Sequence, residues 1–306
     1  MLSRFCISGV KRRVINFMNK PQPVVDYACD TGENPLWHPQ EKRIYWVDIP
    51  VGCIFRYDPE SGDSEKFEIG EAIGGFTIQA DGALLLFMAR GAVRLWRDGR
   101  VLAAVIEELP DERLSRFNDV IADPEGRVFC GTMTSPDHSG RLYRLDTDGR
   151  ITQLLDGIGT SNGLGFTPDL KHMYYTDTRK REIYLFDYDR STGNISNRRV
   201  FVKVSDDPKE GGPDGLTVDV EGCVWSARWG GSCIVRYAPD GKELTRIQFP
   251  VRKVSCMTFG GRDYKDMYVT TAGGGNRKEE GALAGALFRV NADVRGVPEF
   301  LSRVRV

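Results

Sequence analysis

One short pattern recurs six times along this chain of 306 residues. In each copy, a turn rich in Asp, Pro or Gly precedes an apolar strand that carries aromatic or β-branched residues, and a second strand follows. The first strands are residues 43–47, 83–87, 127–130, 172–175, 223–226 and 266–269. The second strands are residues 53–57, 91–95, 140–145, 182–186, 233–237 and 286–290. Repeats of roughly 40 to 50 residues are typical of propellers. We therefore predict an all-β fold, a six-bladed β-propeller of four-stranded antiparallel blades.

The repeats predict a single propeller domain over residues 21–306, because an extended sandwich has no reason to repeat its strand order six times. We expect the first strand, near residues 23–27, to pair into the last blade near residues 298–304 and close the ring. Residues 1–20 contain five basic and no acidic side chains between apolar ones. This pattern is compatible with a targeting segment, and the alternative is an extension without that role.

Composition excludes several classes of protein. Lys and Arg number 42 against 43 Asp and Glu, so the chain has no strong charge to attract nucleic acid or an anionic membrane. It has no run of about 18 apolar residues that could span a bilayer. The seven cysteines form no C-x-x-C pair, which argues against a disulfide framework or a cysteine zinc site and favours reduced cysteines. We predict a cytoplasmic monomer or weak oligomer, or an organelle-targeted protein if residues 1–20 form a targeting segment.

A third segment precedes the first strand of each copy and predicts the innermost strand, which lines the central channel. These segments are residues 33–37, 74–78, 118–122, 162–166, 214–218 and 256–259. Four of the six begin with an oxygen-bearing side chain: Glu33, Asn118, Asn162 and Asp214. Because equivalent positions in a pseudo-symmetric ring meet at one face of the axis, we expect these four side chains to converge there.

Two carboxylates with one or two amide oxygens suit one divalent cation, either Ca²⁺, Mn²⁺, Fe²⁺ or Zn²⁺, with water at its open positions. The alternative is that Asn-Gly and Asp-Gly only form turns at the strand starts. The cation site is favoured because four polar residues occupy the same position of the repeat and because one of them, Glu33, is not a turn-forming residue. Arg116 lies two residues before Asn118 and is expected to reach the same mouth, where its guanidinium would bind a substrate oxygen. A surface salt bridge is the other interpretation of Arg116.

Six motifs occur in order along nearly the whole chain. They are Gly-Glu-Asn-Pro-Leu-Trp at 32–37, Arg-Phe-Asn-Asp at 116–119, Gly-Thr-Met at 131–133, Ser-Asn-Gly-Leu at 161–164, Pro-Asp-Gly at 213–215, and Phe-Gly-Gly at 259–261 with Met-Tyr-Val-Thr at 267–270. In this combination the sequence resembles the regucalcin and gluconolactonase family, also called senescence marker proteins.

The resemblance implies a six-bladed propeller that holds one divalent metal through Glu33, Asn162 and Asp214 and contacts substrate through Arg116 and Asn118. It implies hydrolysis of sugar lactones such as gluconolactone to aldonic acids. The sequence departs from the family after Gly-Thr-Met, where some members carry a sugar-contacting glutamate three residues on. Pro136 stands at that position here, which leaves Asp137 or His138 as substitutes.

On this interpretation Asp214 is the catalytic residue, because a carboxylate beside a metal can take the proton of the attacking water. Three other functions stay open. A propeller esterase or phosphotriesterase would use the same axial metal on another electrophile. A calcium-binding regulatory protein would keep the ligands without catalysis. A pure interaction propeller would bind no metal at all.

Overall fold

The computed structural model of the protein describes residues 20–306. The predictions for residues 1–20, a basic extension with targeting as one of its two interpretations, therefore fall outside the described residues except at Lys20. They stay predictions, as do the cytoplasmic location and the monomeric or weakly oligomeric state.

Four of the five β-sheets are separate four-stranded antiparallel units formed by consecutive strands. The first contains β2 (Gly32–His38), β3 (Arg43–Asp48), β4 (Cys53–Tyr57) and β5 (Ser64–Glu68). The second contains β6 (Ile73–Ile78), β7 (Leu84–Met88), β8 (Val93–Arg97) and β9 (Arg100–Ile106). The third contains β10 (Phe117–Ala122), β11 (Val128–Thr132), β12 (Gly140–Leu145) and β13 (Ile151–Ile158). The fourth contains β14 (Ser161–Phe166), β15 (His172–Asp177), β16 (Glu182–Asp189) and β17 (Asn194–Lys203).

The fifth sheet has eight strands. They are β1 (Gln22–Asp26), β18 (Gly212–Val218), β19 (Val224–Trp229), β20 (Cys233–Tyr237), β21 (Glu243–Gln248), β22 (Lys253–Gly260), β23 (Asp266–Ala272) and β24 (Ala286–Asn291). A single residue pair, Trp229 and Lys253, joins β18–β21 to the other four strands. The all-β propeller with four-stranded antiparallel blades is thus confirmed, and the sheets number five, four of them with four strands and one with eight.

Helical structure within residues 20–306 is confined to short connections. It comprises α1 (Arg277–Glu280) and 3₁₀ turns at Pro110–Glu112, Pro208–Glu210 and Gly274–Asn276. No helix in this part of the chain has the length and apolar character needed to cross a membrane. The six cysteines that the structure describes are all buried and unpaired, in agreement with the reduced state expected from their spacing.

Within each four-stranded unit, burial decreases from the innermost strand at the channel to the outermost strand. The innermost strand β14 is buried at every position, and its neighbours carry the aromatic residues that fill the space between sheets. The outermost strand β17 is exposed along most of its length and is rich in polar residues. Apolar clusters join neighbouring sheets, as where Tyr45 and Ile54 pack with Phe76 and Leu86. Each such buried side chain contributes roughly 1.5–3 kcal/mol of transfer free energy.

Both chain ends tie the molecule together. Strand β1 pairs antiparallel with β24, so that Gln22 lies opposite Arg289 and Asp26 opposite Ala286. The prediction that the first strand enters the last sheet is therefore confirmed. The predicted pairing of this strand with residues 298–304 is wrong, because its partner is β24.

Residues 295–306, here called the C-terminal segment, cross the end of the channel instead. Their amides bond to the second and third sheets: Ser302 N donates to Ile78 O at 2.9 Å, Arg303 N to Gly126 O at 2.8 Å and Arg305 N to Thr147 O at 2.9 Å. Ile78 is the last residue of β6, so these contacts lie where the inner strands end. The channel is covered at that end, and the starts of the inner strands surround its other mouth.

Candidate active site

A cavity of about 280 Å³ lies at the open mouth of the channel. It is lined by Thr31, Glu33, Ile49, Arg116, Asn118, Met133, Thr160, Asn162, Thr178, Asp214 and Trp229. All five residues that the sequence predicts for the site are in this set, although they come from four different strands or strand starts. The expected convergence of in-phase residues at one face is therefore what the structure contains.

A β-bulge accompanies the polar position in each strand that supplies one. The register of strand pairing shifts between Glu33 and Leu36 in β2 and between Asn162 and Leu164 in β14. It also shifts between Phe117 and Val120 in β10, where Asn118 lies, and between Pro213 and Leu216 in β18, where Asp214 lies. A bulge places an extra residue in one strand and redirects its side chain, which is common next to active sites. Here the bulges allow polar side chains to face the channel while the following residues return to the apolar alternation.

A line of hydrogen bonds crosses the cavity wall from Arg116 to the strand that carries Asp214. Arg116 Nη1 donates to Asn118 Oδ1 at 2.6 Å, and Asn118 Nδ2 donates to Asn162 Oδ1 at 3.0 Å. Asn162 Nδ2 then donates to Thr178 Oγ1 at 2.8 Å, and that hydroxyl donates to Pro213 O at 2.8 Å. Asn118 Nδ2 also donates to Ser161 O at 2.6 Å, so both of its amide hydrogens have acceptors and its orientation is fixed.

The two carboxylates of the cavity are buried in an environment that disfavours their charge. Glu33 is 7% exposed and Asp214 4% exposed. Burial, followed by the negative charge of Asp119, raises the pKa of Glu33 to about 8, although Asn34 N donates to it at 2.9 Å. Burial, followed by the charges of Glu33 and Asp119, raises the pKa of Asp214 well above its usual range. Burial also lowers the pKa of Arg116, the cation of this cavity wall.

Asp119 is a site residue that the sequence reasoning missed. Its carboxylate is 7% exposed and lines a narrow enclosed space of about 30 Å³ within the channel, which Glu299 of the C-terminal segment also lines. Burial raises the pKa of Asp119 to about 7. A signal for it exists in the sequence, because Asn118 and Asp119 are consecutive polar residues at the start of an inner strand. Strict strand alternation points the second of them away from the channel, and the bulge reverses that.

The loop after Gly-Thr-Met places Met133 in the cavity wall, and neither Asp137 nor His138 lines the cavity. His138 instead turns away, with Nε2 2.7 Å from Asp111 O and Nδ1 2.7 Å from Ser139 O. The expectation that one of these two residues replaces the family glutamate is not met by this arrangement. Neutral residues, among them Trp229, Thr31 and Thr160, line the walls around the carboxylates.

The donor set fits a divalent cation of the hard or borderline kind. Burial raises the pKa of three carboxylates, of Glu33, Asp119 and Asp214, and their mutual repulsion adds to this effect for Glu33 and Asp214, although Arg116 acts on Glu33 and Arg228 on Asp214 in the opposite direction. Within residues 20–306, no three His, Cys, Asp or Glu side chains are grouped to hold a metal by themselves. A metal here would therefore use amide oxygen together with two carboxylates, a combination that oxygen-seeking cations accept.

Fold and cavity define a class of protein: a β-propeller with a carboxylate-lined polar site at one mouth of its channel. Comparison with known sequences makes this more specific. The sequence profile described as SMP-30/Gluconolactonase/LRE-like region matches residues 31–273. The chain belongs to this family, as its six motifs indicate.

Two curated relatives and one solved structure illustrate the similarity. The chain is 50% identical over 291 residues to the pentonolactonase XacC of Haloferax volcanii, covering 92% of this chain and 98% of that protein. It is 33% identical over 283 residues to the 6-deoxy-6-sulfogluconolactonase of Pseudomonas putida, covering 90% and 96%. The structure of a calcium-binding protein, regucalcin, from Agrobacterium tumefaciens superposes with a TM-score of 0.85 over 94% of this chain and 98% of that one, at 24% identity. The last comparison establishes the fold.

Proposed function

We propose that this protein is a divalent-metal-dependent hydrolase that opens sugar lactones, a carboxylic-ester hydrolase. The observation that carries the proposal is the convergence of Glu33, Arg116, Asn118, Asn162 and Asp214 on one cavity. The similarity to a pentonolactonase and a sulfogluconolactonase supports the same chemistry. Since the pentonolactonase is 50% identical to the chain, five-carbon aldonolactones are the first substrates to test.

Glu33, Asn162 and Asp214 would hold the metal. When bound, a divalent cation polarises a carbonyl group and lowers the pKa of bound water. The residues supply the remaining functions. Arg116 donates hydrogen bonds toward the carbonyl oxygen, whose negative charge grows as water attacks, and Asn118 Oδ1 accepts a hydrogen bond from a sugar hydroxyl. Their mutual bond at 2.6 Å keeps both groups oriented before substrate arrives.

The reaction itself adds water across one bond. The water oxygen bonds to the carbonyl carbon, and the Asp214 carboxylate accepts a water proton. The ring carbon–oxygen bond then breaks, and that proton passes to the leaving alkoxide, which becomes a hydroxyl of the aldonic acid. At neutral pH the new carboxylic acid releases one proton to solvent, so turnover can be followed as acid production.

We further infer that the eight-stranded sheet comprises two blades, which makes six in all. The innermost strands β2, β6, β10, β14, β18 and β22 each pack against the next, and β22 packs against β2. Buried apolar clusters likewise occur between each neighbouring pair of units, including β18–β21 and β22–β24. The pair Trp229 and Lys253 is a bridge between two blades on this interpretation.

The first test is lactone hydrolysis, followed as proton release above the spontaneous background. The protein is stripped of metal, and Ca²⁺, Mn²⁺, Zn²⁺ or Fe²⁺ is added back with xylono-, arabinono-, glucono- and galactonolactone. Metal-dependent turnover is the expected result, with pentonolactones preferred. Metal binding without turnover of any lactone would reject the proposal, and phenyl esters and phosphotriesters in the same panel would then identify the alternative substrate class.

A further inference from the structure

A buried charged cluster lies behind the cavity wall, outside the proposed machinery. Glu112 is fully buried in the 3₁₀ turn Pro110–Glu112. Its Oε1 accepts a hydrogen bond from Tyr143 OH at 2.7 Å and one from Arg141 Nη1 at 3.2 Å. Its Oε2 has no hydrogen-bond partner within residues 20–306, yet lies 3.8 Å from His138 Nε2.

The ring of His138 contacts backbone oxygens at both of its nitrogens. Nδ1 lies 2.7 Å from Ser139 O and Nε2 lies 2.7 Å from Asp111 O. The nearby charged groups are Glu112 and, behind it, Arg141. Arg141 hydrogen-bonds to the Oε1 side of the Glu112 carboxylate, so the Oε2 side is the one nearest the His138 ring.

This cluster joins the two loops that line one side of the cavity. Glu112 precedes Arg116 by four residues, and Ser115 N donates to Glu112 O at 3.0 Å. Ser115 Oγ donates to Met133 O at 2.7 Å, and Met133 N donates to Arg116 O at 3.0 Å. His138, five residues after Met133, completes the connection from the other loop. Arg116 and Met133 are therefore held between the bulge of β10 and the His138 contacts.

We propose that His138 is a positioning residue that anchors the loop of residues 107–116 and thereby holds Arg116 for lactone binding. The proposal rests on the proposed function. It assigns a role to the residue that stands near the position of the family glutamate, although that residue does not touch substrate. The contact of its Nε2 with Asp111 O is one of the links between this loop and the loop that follows Met133.

The kinetics and metal content of His138→Ala test this role. We expect the variant's KM for the preferred lactone to be about tenfold above that of the unmodified protein, because the contact that anchors the loop carrying Arg116 is lost. The kcat and the bound metal stay within twofold. A purely structural role lowers kcat and metal content together with the stability of the fold.

Two further variants complete the design. His138→Gln keeps one donor toward Asp111 O, so its KM lies between those of His138→Ala and the unmodified protein. His172→Ala is the matched control, because His172 pairs with Asp187 in the fourth sheet. Its KM should equal that of the unmodified protein. Amide hydrogen exchange of residues 107–116, which needs no turnover, should quicken in His138→Ala and not in His172→Ala.

The outcomes separate the two proposals. An unchanged KM of His138→Ala, or unchanged exchange of residues 107–116, in an active enzyme overturns the role of His138 and leaves the lactonase proposal standing. Absence of lactone turnover by the unmodified protein overturns the proposed function, and the role in lactone binding falls with it.

Discussion

Asp214 and Arg116 face the same cavity with opposite charge, and their substitution separates metal binding from substrate binding. We expect Asp214→Ala to lose both bound metal and lactone turnover, because it removes a carboxylate ligand and the proposed proton acceptor together. Metal analysis of the purified variant, beside its rate above the spontaneous background, checks this. Full lactonase activity in Asp214→Ala would contradict the assignment.

Arg116→Ala should behave differently. The guanidinium is proposed to bind substrate oxygens, so we expect kcat/KM to fall by about 10²–10³-fold while metal content stays near one per chain. Arg116→Lys keeps the charge without the fork geometry and should recover only part of the activity. Loss of metal from Arg116→Ala would show that this residue supports the metal site instead.

The three buried carboxylates make the metal-free protein sensitive to pH. The pKa of Glu33 is raised to about 8 and that of Asp119 to about 7, whereas unfolded carboxyl groups titrate near pH 4. The folded state therefore binds more protons than the unfolded state between these limits, and stability falls as pH rises from about 4.5 to 8. We expect Tm in chelator to decrease across this interval, and added divalent metal to stabilise most at its upper end. A rising Tm in chelator would contradict the argument.

Among single residues, the sequence best predicts those site residues whose placement depends only on their position in the repeat. Glu33, Asn162 and Asp214 occupy equivalent points of a repeat, so their convergence follows from symmetry. Asp119 was missed because a bulge changes which side of the strand it faces. The neutral lining residue Trp229 is the last residue of β19. Its side-chain direction depends on the twist of the sheet rather than on any local sequence pattern.

Among the elements, the packing of inner strands leaves little space between backbones. A Cβ at Gly74 of β6 would lie 1.9 Å from Phe117 O of β10, next to Asn118. We expect Gly74→Ala to destabilise by about 1–3 kcal/mol or more, since backbone must shift, and to lower lactone turnover. Gly275→Ala is the control, because the added methyl meets only the rotatable carboxylate of Asp30 and should change stability by less than about 0.5 kcal/mol. Chemical denaturation of both variants measures the difference.

The same packing explains which strands are predictable. Residues 43–47 were predicted as a strand and β3 spans Arg43–Asp48, because buried aromatic and β-branched residues give a strong signal. The outermost strands carry no such signal. β5 (Ser64–Glu68) and β21 (Glu243–Gln248) are largely exposed, and their polar sequences pair only because the neighbouring strand offers a free edge.

For the whole molecule, ring closure depends on the strand nearest the amino terminus. Deleting residues 1–26 removes β1 and leaves the edge of β24 unpaired. We expect a Tm lower by about 5 °C or more and increased aggregation, because apolar contacts and ladder hydrogen bonds are lost together. Deleting only residues 1–19 is the matched reference, so that the difference in Tm between the two deletions isolates the contribution of residues 20–26. Equal Tm for both deletions would mean that β1 does not contribute to closure.

The repeat count also predicted the propeller, whereas the path of the carboxyl terminus was mispredicted for a physical reason. Residues 298–304 contain apolar side chains, which made them resemble a last strand. In the structure Phe300 packs against Phe166, with ring centroids 6.2 Å apart, and Leu301 packs against the cluster between the first two sheets. These apolar side chains are buried against residues at the end of the channel. No local sequence pattern reveals that they pack there rather than in a strand.

The pairing of β1 with β24 also sets an order of events during synthesis. Asp26 and its partner Ala286 are separated by 260 residues of chain. At about 5–20 residues per second, a ribosome needs roughly 13–52 s to make that interval. Strand β1 therefore leaves the ribosome long before its partner, and the first four sheets can form while the fifth is still incomplete. A circular permutant could begin between two sheets and join the C-terminal segment to β1 by a linker. Strand β1 would then be made soon after β24, which would shorten this wait without altering the finished ring.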